Sequence, residues 1–380
     1  MRKQRNSGIA FVPWKISFSK GGEGAMSIAD TLNNPYTKWM EGKGPYASIV
    51  ISSRVRLARN LTDYPFPHLQ DEETGRKILE LGRKAVMSQE MEAQVGKMDF
   101  VEMEALSPLD RLFLVEKHLI SPQLAAEEGP PRGLALSEDE AVSIMFNEED
   151  HLRLQVIYPA LQLEEAWELA SKVDDILENS LDFAFDEQYG YLSCCPTNVG
   201  TGLRSSVMMH LPALAMTRMA NKLFMELSKL GFVVRGMYGE GTEARGNLFQ
   251  ISNQITLGPS EEEIIANLAQ VSRQVIEQEE MAREKMRKEG LAQLEDMVFR
   301  SYGILSNAYI ISSEEAMAHL SNVRLGVDLG LLRDVQLQKL NELLVETRPA
   351  YIRKIAGKDI DAFNRDFKRA EIIRKSLAKI

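Results

Sequence analysis

The chain has 380 residues, of which 44% are hydrophobic and 26% charged, an ordinary composition for a globular protein of one large or two moderate domains. Its formal net charge of −10 argues against general nucleic-acid binding, and it has no apolar run of about 18 residues to span a membrane. The two cysteines, Cys194 and Cys195, are adjacent and cannot build a disulfide framework, so a reducing, cytoplasmic setting is expected.

Residues 1–25 stand apart. They carry Arg2, Lys3 and Arg5 and a short apolar stretch from Ile9 to Trp14, but no secretory core or cleavage site. Lys20 to Gly24 reads like a translated ribosome-binding site, so Met26 is the expected start and 1–25 a non-native or disordered extension. Residues 26–45 read as a short helix and loop punctuated by Pro35 and Pro45. Ser48 to Leu57 reads as a strand whose period of two puts Arg54 and Arg56 on one face. Helices are expected over 71–95 and 107–119, the second opening at Ser107-Pro108. Ala141–Phe146 and His151–Tyr158 make a hairpin signal around Asn147 to Asp150. Helices follow at 163–183 and 209–230, then strands at Phe232–Met237 and Leu248–Leu257 joined by a Gly-rich segment. After Glu261 the chain turns to helix formers with heptad-like apolar spacing: a long helix over Ser272–Arg300, then 313–321, 328–346 and 359–379. The expected organisation is a mixed α+β domain over 26–282 and an all-helical dimerisation or regulatory domain over 283–380, with the long helix shared between them.

Four segments concentrate unusual polar residues. They are Ser52-Ser53-Arg54-Val55-Arg56, Asn147-Glu148-Glu149-Asp150-His151-Leu152-Arg153, Cys195-Pro196-Thr197-Asn198 through Arg204, and Arg235-Gly236 through Glu240. Taken singly, each has an ordinary reading: a solvated strand face, a polar turn, a small buried thiol, a Gly-rich loop. Together they supply Arg54, Arg56, Arg153, Arg204 and Arg235, two glutamates (Glu149 and Glu240) and Cys195. Arginine forks match phosphate oxygens bidentately. A guanidinium, with a pKa above about 12, needs carboxylates to hold it and take its proton before it can act as a nucleophile. The set therefore suits phosphoryl transfer from ATP to a guanidinium. No P-loop, protein-kinase signature or dinucleotide fingerprint is present, and the five histidines lack metal-ligand spacing, so no structural metal is expected.

In order along the chain, the four boxes resemble the phosphagen (guanidino) kinase family. The Asn-Glu-Glu-Asp-His run at 147–151 and Cys-Pro-Thr-Asn at 195–198 match its signatures, while Ser-Ser-Arg-Val-Arg at 52–56 and Arg-Gly-x-x-Gly-Glu at 235–240 follow its arginine kinases. The resemblance implies a twisted antiparallel sheet flanked by helices, of the phosphagen-kinase and glutamine-synthetase-like type, and the use of ATP with Mg2+. It implies that Arg54, Arg56, Arg153, Arg204 and Arg235 grip the phosphates and that Ser52, Ser53, Val55, Ser205 and Ser206 line the nucleotide site. It also implies that Glu149 and Glu240 clamp the guanidinium, one as base, with Cys195 on its other side. For the adenine base, Ser137 falls where a stacking histidine is usual, and His118 is a substitute.

The helical N-terminal domain of the members that act on free amino acids is missing, and a helical extension follows residue 283 instead. That resembles the branch that phosphorylates arginine side chains in bacterial proteins. Arg365-Asp366-Phe367-Lys368-Arg369-Ala370 matches a motif of the branch, implying a regulatory phosphoarginine pocket built from Arg365, Asp366 and Arg369, the two arginines at i,i+4 on one helix face. The resemblance further implies protein substrates with exposed arginine, a stress-response role, the Clp protease machinery and a heat-shock repressor as partners, and no membrane or direct nucleic-acid binding. The amphipathic tail suggests a homodimer or packing on the first domain. The competing readings are a kinase for free arginine and a non-catalytic phosphoarginine-binding adaptor.

Overall fold

The structure, a computed structural model, describes residues 27–126, 129–236, 244–357 and 359–378; the expected extension over 1–25 lies outside them. Its strands are β1 (Val50–Arg59), β2 (Met98–Glu102), β3 (Gly133–Ser137), β4 (Val142–Phe146), β5 (Leu152–Pro159), β6 (Phe185–Asp186), β7 (Gly190–Tyr191), β8 (Leu203–His210), β9 (Phe232–Gly236) and β10 (Leu248–Asn253). Eight of them form one antiparallel sheet in the order β2-β3-β4-β5-β1-β8-β10-β9, and β6 pairs with β7 apart from it. Helices α1 (Ile28–Asn33), α2 (Glu72–Val86), α3 (Gln89–Val95), α4 (Pro108–Glu116), α5 (Pro122–Ala125), α6 (Leu163–Glu178), α7 (Pro212–Met216) and α8 (Ala220–Lys229) flank the sheet. An all-helical region follows: α9 (Glu261–Asn307), α10 (Ser313–Asp328), α11 (Leu337–Glu346), α12 (Pro349–Ala356) and α13 (Ala362–Leu377). The α+β class expected from the sequence is the class observed.

Alternation along the central strand β1 divides the sheet into two faces. Val55 and Leu57 turn to a core with Leu154, Val156 and Val207, covered by Ala166, Ala170 and Val173 of α6 and by Leu268 and Val275 of α9. Arg59 ends that row: its Nη2 lies 2.7 Å from the Asp174 carboxylate on α6 and its guanidinium stacks 3.5 Å from the Tyr191 ring. Removing Asp174 would leave a buried charge unpaired, a loss of about 3–5 kcal/mol. The opposite face is half apolar and half cationic. At the N-terminal end of β1, Ile51, Ile157, Met208 and Leu248 pack against Met317 of α10, Leu344 and Val345 of α11 and Ala350 of α12. At the other end the same face carries arginines.

α9 begins with a capping box, Ser260 and Glu263, and gives Ile264 to Ala282 to the first core. Beyond Gly290, whose backbone is non-helical (φ −151°, ψ 40°), Leu294, Val298 and Leu305 enter a separate core with α10 and α13. Met286 packs against both. The structure differs from the sequence reading in several places. β2 and β3, near one edge of the sheet, are not anticipated. The helix expected over 209–230 is β8 running to His210, then α7 started by Pro212 at its first position, then α8 after a left-handed residue, Arg218 (φ 59°). The helix expected over 328–346 starts only at Leu337, because α10 ends against Gly330 (φ 73°), and Pro349 opens the unanticipated α12.

Candidate active site

The register of the central strands builds the cationic face. Arg56 sits between Gln155 of β5 and Arg204 of β8; Arg54 lies between Ile157 and Ser206; Arg153 is opposite Ala58; and Arg235 pairs with Gln250. A strand period of two thus gathers five guanidinium groups, from four strands far apart in sequence, on one side of the sheet. Arg54, Arg56, Arg153 and Arg235 line a cavity of about 510 Å³ together with Glu116, His118, Ser121, Glu149, Gln250 and Arg348. Arg204 forks instead into the Cys195 segment, with Nε donating to Asn198 Oδ1 at 3.0 Å, Nη2 to the Thr197 carbonyl at 2.9 Å and Nη1 to the Asn253 carbonyl at 3.0 Å.

Arg153 is paired with Glu148, but Arg54 and Arg56 have no carboxylate hydrogen-bonded to them among the described residues. Among the described residues Arg54 donates only to neutral groups, Gln250 Oε1 at 3.0 Å and Ser206 Oγ at 3.4 Å. The Nε of Arg56 is buried without a hydrogen-bond partner. Burial, and then the charge of Arg153, push Arg54 down to about 10, and burial with Arg54 and Arg153 pushes Arg56 down further. A guanidinium keeps its proton at neutral pH. The shift therefore expresses uncompensated desolvation and like-charge repulsion, both of which a polyanion in the cavity relieves.

The Asn147–His151 box is a rigid platform with one side chain left over. Asn147, left-handed at φ 54°, donates to the carbonyls of Gly75 and Pro131 at 3.0 and 2.8 Å. Asp150 accepts from Asn60 Nδ2 and the Cys194 N–H, each at 2.7 Å, and His151 bridges the Leu61 N–H and the Pro65 carbonyl. Glu148 is buried and receives Arg153 at 2.6 Å and the Ser121 hydroxyl. Burial pushes Glu148 up, but Arg153 and Ser121 outweigh it and hold the carboxyl below its ordinary value. Glu149 differs: its carboxylate accepts no hydrogen bond among the described residues, and partial burial raises its pKa against the opposing pull of Arg153. Glu149 lines the arginine cavity and also a second, more open hollow of about 440 Å³ walled by Pro67, His68, Pro130, Glu148 and Cys194. It stands where the two openings meet.

The structure brings Arg54, Arg56, Arg153, Arg235 and Glu149 together around one cavity. Cys195 is not among the residues lining that cavity; its Sγ is 3.1 Å from Thr197 Oγ1, in the segment that Arg204 forks into. Cys194 turns toward Asp150; burial and then that carboxylate push its thiol up to about 12, so it stays protonated. Ser52 and Ser206 share the cationic face, whereas the side chains of Ser53, Val55 and Ser205 lie on the opposite one: Ser53 Oγ donates to the Ala160 carbonyl at 2.8 Å, Val55 is in the core, and Ser205 is fully buried at Asn253. Glu240 is outside the described residues. His118 lines the cavity edge-on to Trp39 and is pushed down to about 3 by burial, then by Arg54 and Arg348, so its ring is neutral. Ser137 is instead buried against Asp139 and Val142. In the tail, Arg369 is buried, donating to the carbonyls of Thr347 and Ile311, each at 2.9 Å, and pairing with Asp366, while Arg365 donates to the Ile360 carbonyl at 2.8 Å. Sequence reasoning misses Gln250, Glu116 and Arg348, which belong to no motif. Glu148 was within reach, as the box residue five before Arg153.

Comparison with known proteins adds the following. Residues 77–282 match the family model for the ATP:guanido phosphotransferase C-terminal catalytic domain, and residues 291–380 match the protein-arginine kinase McsB C-terminal domain. The protein-arginine kinase of Symbiobacterium thermophilum is 55% identical over 93% of this chain and 100% of its own length. That of Desulforamulus reducens is 51% identical over 93% and 98%. Among solved structures, the substrate-free duplicated taurocyamine kinase from Schistosoma mansoni superposes with a TM-score of 0.56 at 23% identity, covering 74% of this chain and 44% of that one. A lombricine kinase gives 0.53 at 22%, covering 61% and 66%. At those identities the solved structures speak for the fold alone.

Proposed function

The chain belongs to the ATP:guanido phosphotransferase family, and from that premise we propose that it is a protein-arginine kinase, moving the γ-phosphoryl group of MgATP to arginine side chains of other proteins. The observation that carries the reading is the arginine-lined cavity, in which Arg54 and Arg56 have no carboxylate hydrogen-bonded to them among the described residues and Glu149 stands at the rim. Arg54, Arg56, Arg153, Arg204 and Arg235 would hold the phosphates, with Ser52 and Ser206 on the same face; Ser53, Val55 and Ser205 would contribute only backbone. The magnesium ion arrives with the nucleotide: of the carboxylates lining the cavity, Glu116 is taken by the N–H groups of Ala350 and Tyr351, and among the described residues there is no acidic cluster to bind the ion apart from phosphate and water.

The acceptor arginine enters through the open hollow and meets the γ-phosphorus beside Glu149. A guanidinium nitrogen attacks phosphorus, the bond to the β–γ bridging oxygen breaks, and ADP leaves with that electron pair. The guanidinium proton passes to Glu149 or Glu240, and Cys195 contacts the group from its other side. The raised pKa of Glu149 suits a base that must accept a proton. The fixed arginine forks are preorganised for the charge on the transferring group. Glu240 rests on the motif alone.

Residues 26–282 would form the catalytic unit and 283–380 a regulatory and dimer-forming unit, with Arg365, Asp366 and Arg369 as a phosphoarginine site. A cytoplasmic stress role, with Clp proteolysis and a heat-shock repressor downstream, belongs to the same proposal. The test is labelled MgATP with an arginine-rich protein and with free arginine as rival acceptors. Acid-labile label on protein, abolished by Glu149→Gln, is the expected result. Label on free arginine alone would make the enzyme a small-molecule kinase, and nucleotide binding without transfer would make it an adaptor. For the tail, Asp366→Ala should weaken phosphoarginine binding by about tenfold, since a charge-assisted contact is worth about 1.5–3 kcal/mol. Unaltered phosphoarginine affinity would remove the site.

A further inference from the structure

Arg348 belongs to no sequence motif and lies far along the chain from the four boxes, yet it lines the arginine cavity with Arg54, Arg153 and His118. His118 feels the charges of both Arg54 and Arg348, so the two guanidinium groups lie near one ring in the same cavity. The backbone that carries Arg348 is fixed from three directions. Before it, Leu344 and Val345 of α11 are packed into the apolar half of the sheet's cationic face. After it, Pro349 opens α12, and the N–H groups of Ala350 and Tyr351 donate to the Glu116 carboxylate at 2.9 and 3.0 Å. Immediately preceding it, the Thr347 carbonyl accepts Arg369 Nε at 2.9 Å, and that arginine is itself buried. A cation so held, beside guanidinium groups that already repel one another, is placed for a ligand with several negative charges.

We propose that Arg348 is a nucleotide-contacting residue: the helical C-terminal region closes the nucleotide cavity with a guanidinium directed at the polyphosphate of ATP and ADP, and Arg369 positions it through the Thr347 carbonyl. The inference rests on the reading of the cavity as the nucleotide site. A consequence is that the tail segment containing Arg365, Asp366 and Arg369 reaches the nucleotide through one peptide unit, so events at the tail alter nucleotide affinity without moving the sheet. The competing role for Arg348 is purely structural, as a counter-charge to Glu116, which also feels it.

The experiment titrates the full-length protein with MgADP and, separately, with adenosine. Thermal unfolding is recorded for the wild type, Arg348→Ala, Arg348→Lys and Arg369→Gln. The expected result is a roughly tenfold rise in Kd for MgADP in Arg348→Ala, as for loss of one charge-assisted contact. Adenosine binding and the melting temperature should stay unchanged, with partial recovery in Arg348→Lys and a smaller loss in Arg369→Gln. Arg348→Ala that melts like the wild type and binds MgADP within twofold of it overturns the proposal. Should Arg348→Ala unfold, Arg348→Met, which keeps the apolar stem, is read by the same criteria. A wild type that binds no MgADP overturns the nucleotide reading of the cavity itself, a different outcome from an unaffected variant.

Discussion

Glu148 and Glu149 are neighbours in the chain with opposite fates. The first is buried under Arg153 and Ser121 and held in its ionised form; the second carries a raised pKa and no hydrogen-bond donor among the described residues. Two carboxylates pushed apart by their surroundings mark which one is available to take a proton. Glu149→Gln is expected to lower phosphoryl transfer by about 10²–10⁴-fold while MgADP still binds, measured by single-turnover transfer and titration. In the proposed role of Glu149 as base the ionised form is the working form, so wild-type kcat/KM should fall as pH drops through a value above the usual glutamate range. A pH profile whose acid limb sits at or below that range would deny Glu149 the role. Arg56, with its buried and unpartnered Nε, should be the more sensitive of the β1 pair. Arg56→Ala is expected to weaken MgADP by about 10- to 100-fold, read by calorimetric titration, as the loss of about 1.5–3 kcal/mol from a contact to charge.

Among the elements, β1 does most of the positioning, because it is the one strand with β5 on one side and β8 on the other. The Arg-x-Arg spacing was legible as two side chains on one face, since it follows from the strand period alone. What those arginines would face was not legible: Arg204 and Arg153 reach them by pairing across β8 and β5, a long-range register that no local pattern encodes. The helical ends show the same limit. Apolar spacing runs through 328–346 without a break, but Leu331 and Leu332 fold back so that their N–H groups reach the Gly326 carbonyl, and α11 starts later. Gly326 is itself a packing requirement, since a Cβ there would sit 2.3 Å from Val298 Cγ1 on α9. Gly326→Ala should destabilise the α9–α10 contact by about 1–3 kcal/mol, seen as a lower melting temperature with Kd for MgADP unchanged.

At the scale of the whole molecule, the C-terminal helices are not an appendage. Met317, Leu344, Val345 and Ala350 complete a core whose other half is Ile51, Ile157, Met208 and Leu248 of the catalytic sheet. Arg324 donates to Asn341 at 2.7 Å and to the Ala47 carbonyl at 2.9 Å across the same boundary, and α9 runs through two cores. The expected outcome in calorimetry is one cooperative transition, and a chain ended after residue 308 should lose solubility and transfer together through exposure of that apolar face. Two separate transitions, or an active truncated protein, would show that the sheet stands without the tail. Composition, the strand and helix periods and four short boxes were enough to read the α+β class and to single out Arg54, Arg56, Arg153, Arg235 and Glu149, which the structure gathers around one cavity, because those depend on residue types and local spacing. Only the tertiary structure decided that Ser53, Val55 and Ser205 turn away from the cavity, that Glu148 is consumed by Arg153 while Glu149 is not, and that Arg348 joins from the far end of the chain. Each of those depends on strand register and helix packing between segments distant in sequence, which set side-chain direction and burial and which local pattern does not specify.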